Sequence, residues 1–101
     1  MRALRLRITH EAFGDLERLI EFLAKASPKS ASTLARHMLD ALAILEHHPR
    51  VGRKVEQGLR ELVISWGETG YLALYRYAPE TATLLILRIR HQREAGFRPN
   101  D

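Results

Sequence analysis

Leu4, Leu6 and Ile8 alternate with Arg5 and Arg7 at the start of the chain. Successive side chains of a strand point to opposite faces, so this period of two predicts a strand over about residues 2–8, apolar on one face and basic on the other. After Thr9 the period changes: Ala12, Leu16, Leu19, Ile20 and Leu23 recur at three- and four-residue spacing, the pattern of an amphipathic helix. Glu11, Asp15, Glu17 and Glu21 come early and Lys25 late, which suits the helix dipole, and Thr9 is placed to cap the first turn. Gly14 costs helix propensity and is expected to mark close packing.

Ser27-Pro28 starts a second helix, since Ser caps and Pro is tolerated at the first helical position. Ala31, Leu34, Ala35, Met38, Leu42 and Leu45 trace its apolar face as far as His47-His48-Pro49. So short a connection predicts an antiparallel helical hairpin. Residues 49–58 read as a loop, with Pro49, Gly52 and Gly58 interleaved with Arg50, Arg53 and Lys54. Three strand-like runs follow, 59–66, 71–77 and 83–90, joined by connections of hairpin length. In the last run Leu85, Leu87 and Ile89 are expected on one face and Ile86, Arg88 and Arg90 on the other, so an apolar strand turns basic on one side. Helices and strands segregated in this order predict an α+β domain, β-α-α-β-β-β, with the hairpin packed on a mainly antiparallel sheet. One domain is expected over residues 1–101, with 95–101 an exposed tail.

Charge adds a hint about partners. Lys and Arg number 16 against 12 Asp and Glu, a net charge of +4, which favours nucleic acid, a nucleic-acid machine or an acidic protein as the target. The chain contains no cysteine, which removes disulfides, thiolate chemistry and Cys-ligated zinc. The N-terminal residues lack the unbroken apolar run of a signal peptide, and no stretch approaches the roughly 20 apolar residues of a membrane span. A cytoplasmic protein is expected.

Candidate chemistry centres on arginine. Arg60 falls on the face of Leu62 and Ile64, Arg76 on that of Leu72 and Leu74, and Arg88 and Arg90 on that of Ile86. In suitable register their guanidiniums would converge on one concave face and bind phosphates bidentately. The alternative for each is an edge position, a stem lying over apolar surface, or a pair with Glu61 or Glu80. His91, next to this cluster, is a candidate acid or base, although a His at a strand end is commonly structural. His47 and His48, adjacent on a helix, point about 100° apart and suit the helix C-terminus better than a metal. Tyr71, Tyr75 and Tyr77 share one face and are read as packing residues, with stacking on bases as the alternative. No paired carboxylates, phosphate loop, nucleophile elbow or zinc spacing is present, and no cofactor or metal is expected.

In order along the chain, Asp15-Leu16, the helical Ser27-Pro28, Pro49-Arg50-Val51-Gly52-Arg53, Gly58-Leu59-Arg60-Glu61-Leu62, Gly70-Tyr71 to Tyr75-Arg76, and Ile89-Arg90-His91-Gln92-Arg93-Glu94 resemble the RelE/ParE toxins of type II toxin-antitoxin systems. The resemblance covers most of the chain. It implies the same β-α-α-β-β-β fold, a labile antitoxin that wraps and neutralises the toxin, and the plasmid-stabilisation role attached to such sequences. It also implies one of two activities, because RelE-like members cut messenger RNA in the ribosomal A site whereas ParE-like members poison DNA gyrase. Arg60 and Arg76 match basic positions of the family sheet, and Arg53 and Lys54 fall in the loop that is basic in RelE-like toxins. The tyrosine that RelE-like nucleases carry after the last strand is missing: Gln92 follows His91, and the later aromatic, Phe97, cannot exchange a proton. The ending therefore resembles the ParE-like branch and implies gyrase inhibition by binding, with ribosome-dependent cleavage by Arg60, Arg76 and His91 as the alternative. Arg53, Lys54, Arg60, Arg76, Arg88, Arg90, His91 and Arg93 would form the surface toward target or antitoxin, and a homodimer or a toxin-antitoxin hetero-oligomer is expected.

Overall fold

The computed structural model describes residues 4–94 together with Gly96 and Phe97. The expected start of the first strand at residue 2 and most of the 95–101 tail lie outside these residues. β1 (Arg5–Ile8) leads into α1 (His10–Ala26) and α2 (Pro28–Ile44), and then into β2 (Arg53–Lys54), β3 (Arg60–Trp66), β4 (Thr69–Ala78) and β5 (Thr83–His91). The five strands form one sheet in the order β1-β5-β4-β3-β2, antiparallel except where β1 runs parallel to β5. The α+β architecture is the expected one, with β2 added inside what the sequence presents as loop.

Local chemistry sets the helix ends. Thr9 Oγ1 accepts from the Ala12 amide at 3.1 Å and donates to the Leu87 carbonyl at 3.0 Å, so the cap of α1 is also tied to β5. Ser27 closes α1 and opens α2: its amide donates to the Leu23 carbonyl at 2.9 Å, and its hydroxyl accepts from the Ser30 amide at 3.2 Å. With Pro28 following directly, one residue turns the chain between two helices. Gly14 marks no close packing, since a Cβ there would meet nothing within 4 Å.

The helices cover one face of the sheet. Ala12, Leu16 and Leu19 of α1 and Leu34, Met38 and Leu42 of α2 bury their side chains against Ile64, Tyr71, Ala73, Tyr75, Leu84, Ile86 and Ile89. Each large side chain of this set removes apolar surface worth about 2 kcal/mol. Tyr71, Tyr75 and Tyr77 all face the helices, as their spacing predicts.

Two details of the meander differ from the pattern. The β3–β4 loop is only Gly67-Glu68, because Trp66 pairs with Thr69 and the strand already contains Gly70. Gly67 has φ 59°, the left-handed value that a two-residue II′ hairpin asks of its first loop position. In β5 the strict alternation fails. Tyr75 pairs with Ile86 but Leu74 pairs with Arg88, so Leu87 is an extra residue in a bulge. Leu84, Ile86 and Ile89 are consequently the buried positions, and Arg88 and Arg90 change to the face of Leu85, away from Ile86. Among the described residues no helix is long and apolar enough to cross a membrane.

Candidate functional site

Among the described residues no helix packs on the second face of the sheet, and the strand register assigns that face its residues. Arg5 and Arg7 of β1 pair with Thr83 and Leu85, Leu85 pairs with Arg76, and beyond the bulge Arg88 and Arg90 pair with Leu74 and Leu72. Arg53 of β2 joins them opposite Glu61. Six arginines thus stand on one face, where Glu61 is the one acid among the described strand residues. Of the expected cluster, Arg76, Arg88 and Arg90 do share a face, while Arg60 lies on the other side with Leu62 and Ile64.

Most of these guanidiniums are already engaged. Arg53 reaches Glu61 Oε1 at 2.6 Å through Nη2 and at 3.2 Å through Nε. Arg88 donates to both oxygens of Asp15, at 2.7 and 2.9 Å, where β5 has run past the end of β1 and its edge is free. The same carboxylate accepts from the Ile89 amide at 2.9 Å, so Asp15, only 5 % exposed, closes that edge from α1. The hydrogen bonds to Asp15 are the main reason the Arg88 pKa stands above its ordinary value. Arg90 Nη1 donates to the Glu94 carbonyl at 2.7 Å, and the Phe97 ring centre lies 5.3 Å from the Arg88 guanidinium and 5.6 Å from that of Arg90.

On the helix side, Arg60 Nη1 donates to the carbonyls of Arg50 and Gly52 at 3.0 and 2.8 Å, holding the loop between α2 and β2. The Tyr75 hydroxyl does the same from below, donating to the Pro49 carbonyl at 2.8 Å and accepting from the Gly52 amide at 2.9 Å. Burial pushes the Tyr75 phenol up, against the opposing Gly52 hydrogen bond and the nearby Arg60 charge, so it remains a neutral hydrogen-bonding group. Lys54 pairs across the ladder with Arg60 at this corner.

His91 lies at the far end of the same face, opposite Tyr71, whose ring it meets edge-on at 5.1 Å. Its Nδ1 accepts from the Arg93 amide at 3.1 Å, which leaves Nε2 to donate to Thr69 Oγ1 at 2.7 Å. Both ring nitrogens are therefore occupied. Around it, α1 and the sheet enclose an open cleft of about 540 Å³ whose walls include Phe22, Trp66, Tyr71, His91 and Arg93. Arg18 and Glu94 pair at 3.3 Å on its rim.

The three groups expected of a nuclease do not assemble. Arg76 is on the uncovered face, while Arg60 and His91 are on the helix face. Arg60 sits beside Tyr75 and His91 beside Tyr71, four residues apart along β4, or about 13 Å at the usual rise. The arrangement can bind anions through guanidiniums, but the carboxylates among them, Glu61 and Asp15, are tied to Arg53 and Arg88, and His91 lies on the other face. No three His, Asp or Glu side chains gather as a metal site among the described residues. Arg5 and Arg7 are the sheet cations that the sequence places on a basic strand face without connecting them to Arg76. The signal for them was their alternation with Leu4, Leu6 and Ile8, and the missing information was that β1 lies beside β5.

Comparison with known proteins agrees with this architecture. The family model described as the ParE toxin of the type II toxin-antitoxin system parDE matches residues 6–96. Toxin RelE3 of Caulobacter vibrioides is 35% identical over 80 residues, covering 79% of this chain and 85% of that protein. Toxin RelE1 of the same organism is 36% identical over 69 residues, covering 68% of this chain and 74% of that protein. Among solved structures, a chromosomal ParDE system from P. aeruginosa superposes with a TM-score of 0.73 at 22% identity, covering 88% of this chain and 96% of that one. The toxin-antitoxin complex RelBE2 from Mycobacterium tuberculosis gives a TM-score of 0.60 at 26% identity, covering 93% and 97%. With a family model matched over nearly its whole length and a curated toxin aligned over four-fifths of it, the chain belongs to the ParE toxins of type II toxin-antitoxin systems, within the RelE/ParE superfamily.

Proposed function

We propose that this toxin acts by binding, with DNA gyrase as its cytoplasmic target, and that a cognate antitoxin neutralises it. The observation that carries the reading is the separation of Arg60, Arg76 and His91 between two faces and two ends of the sheet. Cleavage of RNA requires a proton acceptor, a proton donor and a cation around one phosphate. Here Arg76 faces one way and the imidazole, held by Thr69 and the Arg93 amide, faces the other, while Arg60 shares the face of the imidazole but lies four residues away along β4.

For the antitoxin, the helical hairpin offers Phe13 and Phe22 on α1 and Leu39 and Ile44 on α2, all at least half exposed. Large apolar side chains on helices suit an amphipathic helix from a segment that orders on binding. The M. tuberculosis relative is a toxin-antitoxin complex, which supports the same kind of partnership.

Induction of the toxin without its antitoxin tests the target. Gyrase-dependent DNA breaks and DNA-damage signalling are expected, with messenger RNA intact. Rapid codon-periodic cleavage of messenger RNA with unaltered gyrase would overturn the reading in favour of ribosome-dependent cleavage, the second reading suggested by the RelE names of the two Caulobacter relatives.

A further inference from the structure

Three arginines of the uncovered face have no role in holding the fold. Arg5, Arg7 and Arg76 are exposed, and their side chains make no hydrogen bond or ion pair with any described residue. Their positions are nevertheless rigid. β1 is paired along its length with β5, β5 with β4, and the Arg5 amide donates to the Ala82 carbonyl at 2.8 Å. Arg5 and Arg7 are two residues apart on one strand, roughly 6.6 Å, and Arg7 and Arg76 flank Leu85 two strands apart, roughly 9.6 Å. The result is a triangle of cationic side chains rooted at fixed backbone positions, with no neutralising acid among the described residues.

We propose that this triangle binds the phosphate backbone of duplex DNA without reading its sequence, an inference that goes beyond the gyrase reading and does not depend on it. Every cation that the strands place on this face is an arginine, the side chain whose fork matches phosphate oxygens. Acidic protein would also meet the charge, but a protein partner needs buried apolar anchors. Of the large exposed apolar residues, Phe13, Phe22, Leu39 and Ile44 are on the helices, on the opposite side, and Val51 is in the loop after α2. Val63 of β3 shares the arginine face, but it is a small anchor and β4 and β5 separate it from Arg5 and Arg7. Single strands are held by aromatic stacking as well as charge. Tyr71, Tyr75 and Tyr77 all turn toward the helices, and the Phe97 ring lies against Arg88 and Arg90 rather than beside Arg5, Arg7 and Arg76. Recognition of RNA would use its 2′-hydroxyl. Thr83, which faces Arg5 across the ladder, donates its hydroxyl proton to the Thr81 carbonyl at 3.0 Å, so toward a 2′-hydroxyl it is an acceptor alone. Continuous negative charge on a stiff rod is the anion that this patch fits.

The test is fluorescence anisotropy of the full-length toxin with a mixed-sequence DNA duplex across a salt series. Three phosphate contacts predict a log-log slope near about −2.7, which is about a 40-fold loss of affinity between about 50 and 200 mM salt. Each of Arg5→Gln, Arg7→Gln and Arg76→Gln should reduce that loss to about 12-fold. Arg36→Gln, which removes the same charge from an exposed position on α2, should leave the slope unchanged. Thermal melts confirm that the variants remain folded. The proposal is overturned if the three variants keep the parent slope, or if Arg36→Gln lowers it equally. Tighter binding of single strands or of an RNA duplex overturns it as well. Displacement of the DNA by polyglutamate at equal charge concentration would assign the patch to an acidic protein instead.

Discussion

Asp15 on α1 and Arg88 on β5, 73 residues apart in the chain, form a two-pronged ion pair at 2.7 and 2.9 Å, and the same carboxylate takes the Ile89 amide. The pair stands where β1 ends and β5 continues, so a side chain of the helix supplies what a neighbouring strand would otherwise provide. A bulge at Leu87 turns Arg88 away from the Ile86 face and sets this geometry. An arginine that looks from sequence like part of a basic surface is thereby held as part of the framework.

Replacing Asp15 should therefore destabilise the fold strongly. Asp15→Ala leaves a largely buried guanidinium and a strand amide without their acceptor, a loss of about 3 kcal/mol. Asp15→Asn should lose less, because its amide oxygen can still accept from Ile89. Urea unfolding of the two variants checks the order, and equal midpoints would contradict it.

Gly52 is expected to be intolerant of any side chain. A Cβ would lie 2.6 Å from the Tyr75 ring and hydroxyl and 2.9 Å from the Glu61 carbonyl, with little room to move. Gly52→Ala should cost about 1–3 kcal/mol by overpacking. Its partner predicts a pH effect. Burial raises the phenols of Tyr71 and Tyr75 above their ordinary 10.0. The unfolded chain therefore releases these protons first, and their contribution is complete below pH 10.0 and declines as the pH rises through the folded values. Tyr75→Phe should lower stability by about 1–2 kcal/mol at neutral pH through two lost hydrogen bonds. It should also show a smaller alkaline decline than the parent, measurable as melting temperature against pH. An equal decline would remove Tyr75 as a source of the effect.

Arg60 and Arg76 should behave differently despite their similar setting in the sequence. Arg60→Met removes the donor to two loop carbonyls and should cost about 1–2 kcal/mol. Arg76→Gln, exposed and without such partners, should change stability by less than about 0.5 kcal/mol. Chemical denaturation of both variants is sufficient, and similar losses would mean that Arg76 is also structural.

Gly14 offers the opposite outcome. With open space at its Cβ position and helical backbone on both sides, Gly14→Ala should raise stability by about 0.5–1 kcal/mol. A fall in melting temperature would show that the position serves close packing after all.

The sequence by itself determined the elements. Period-two and period-3.6 spacing places β1, both helices and the three long strands. Thr9 and Ser27-Pro28 mark the helix starts through hydrogen bonds made within a few residues of each cap. The face of each tyrosine, of Arg60 and of Arg76 was also legible, because alternation within one strand needs no partner. Tertiary structure alone decided how those faces combine. Which strand lies beside which is settled by packing across the whole chain, so nothing near Arg5 or Arg7 states that β1 joins β5 and brings them level with Arg76. The bulge at Leu87 is equally non-local, since an extra residue is defined only against the partner strand, and it moved Arg88 and Arg90 to the other face. Arg60 and Arg76 read as one cluster while the strands are considered singly; pairing Arg60 with Tyr75 puts the body of the sheet between them.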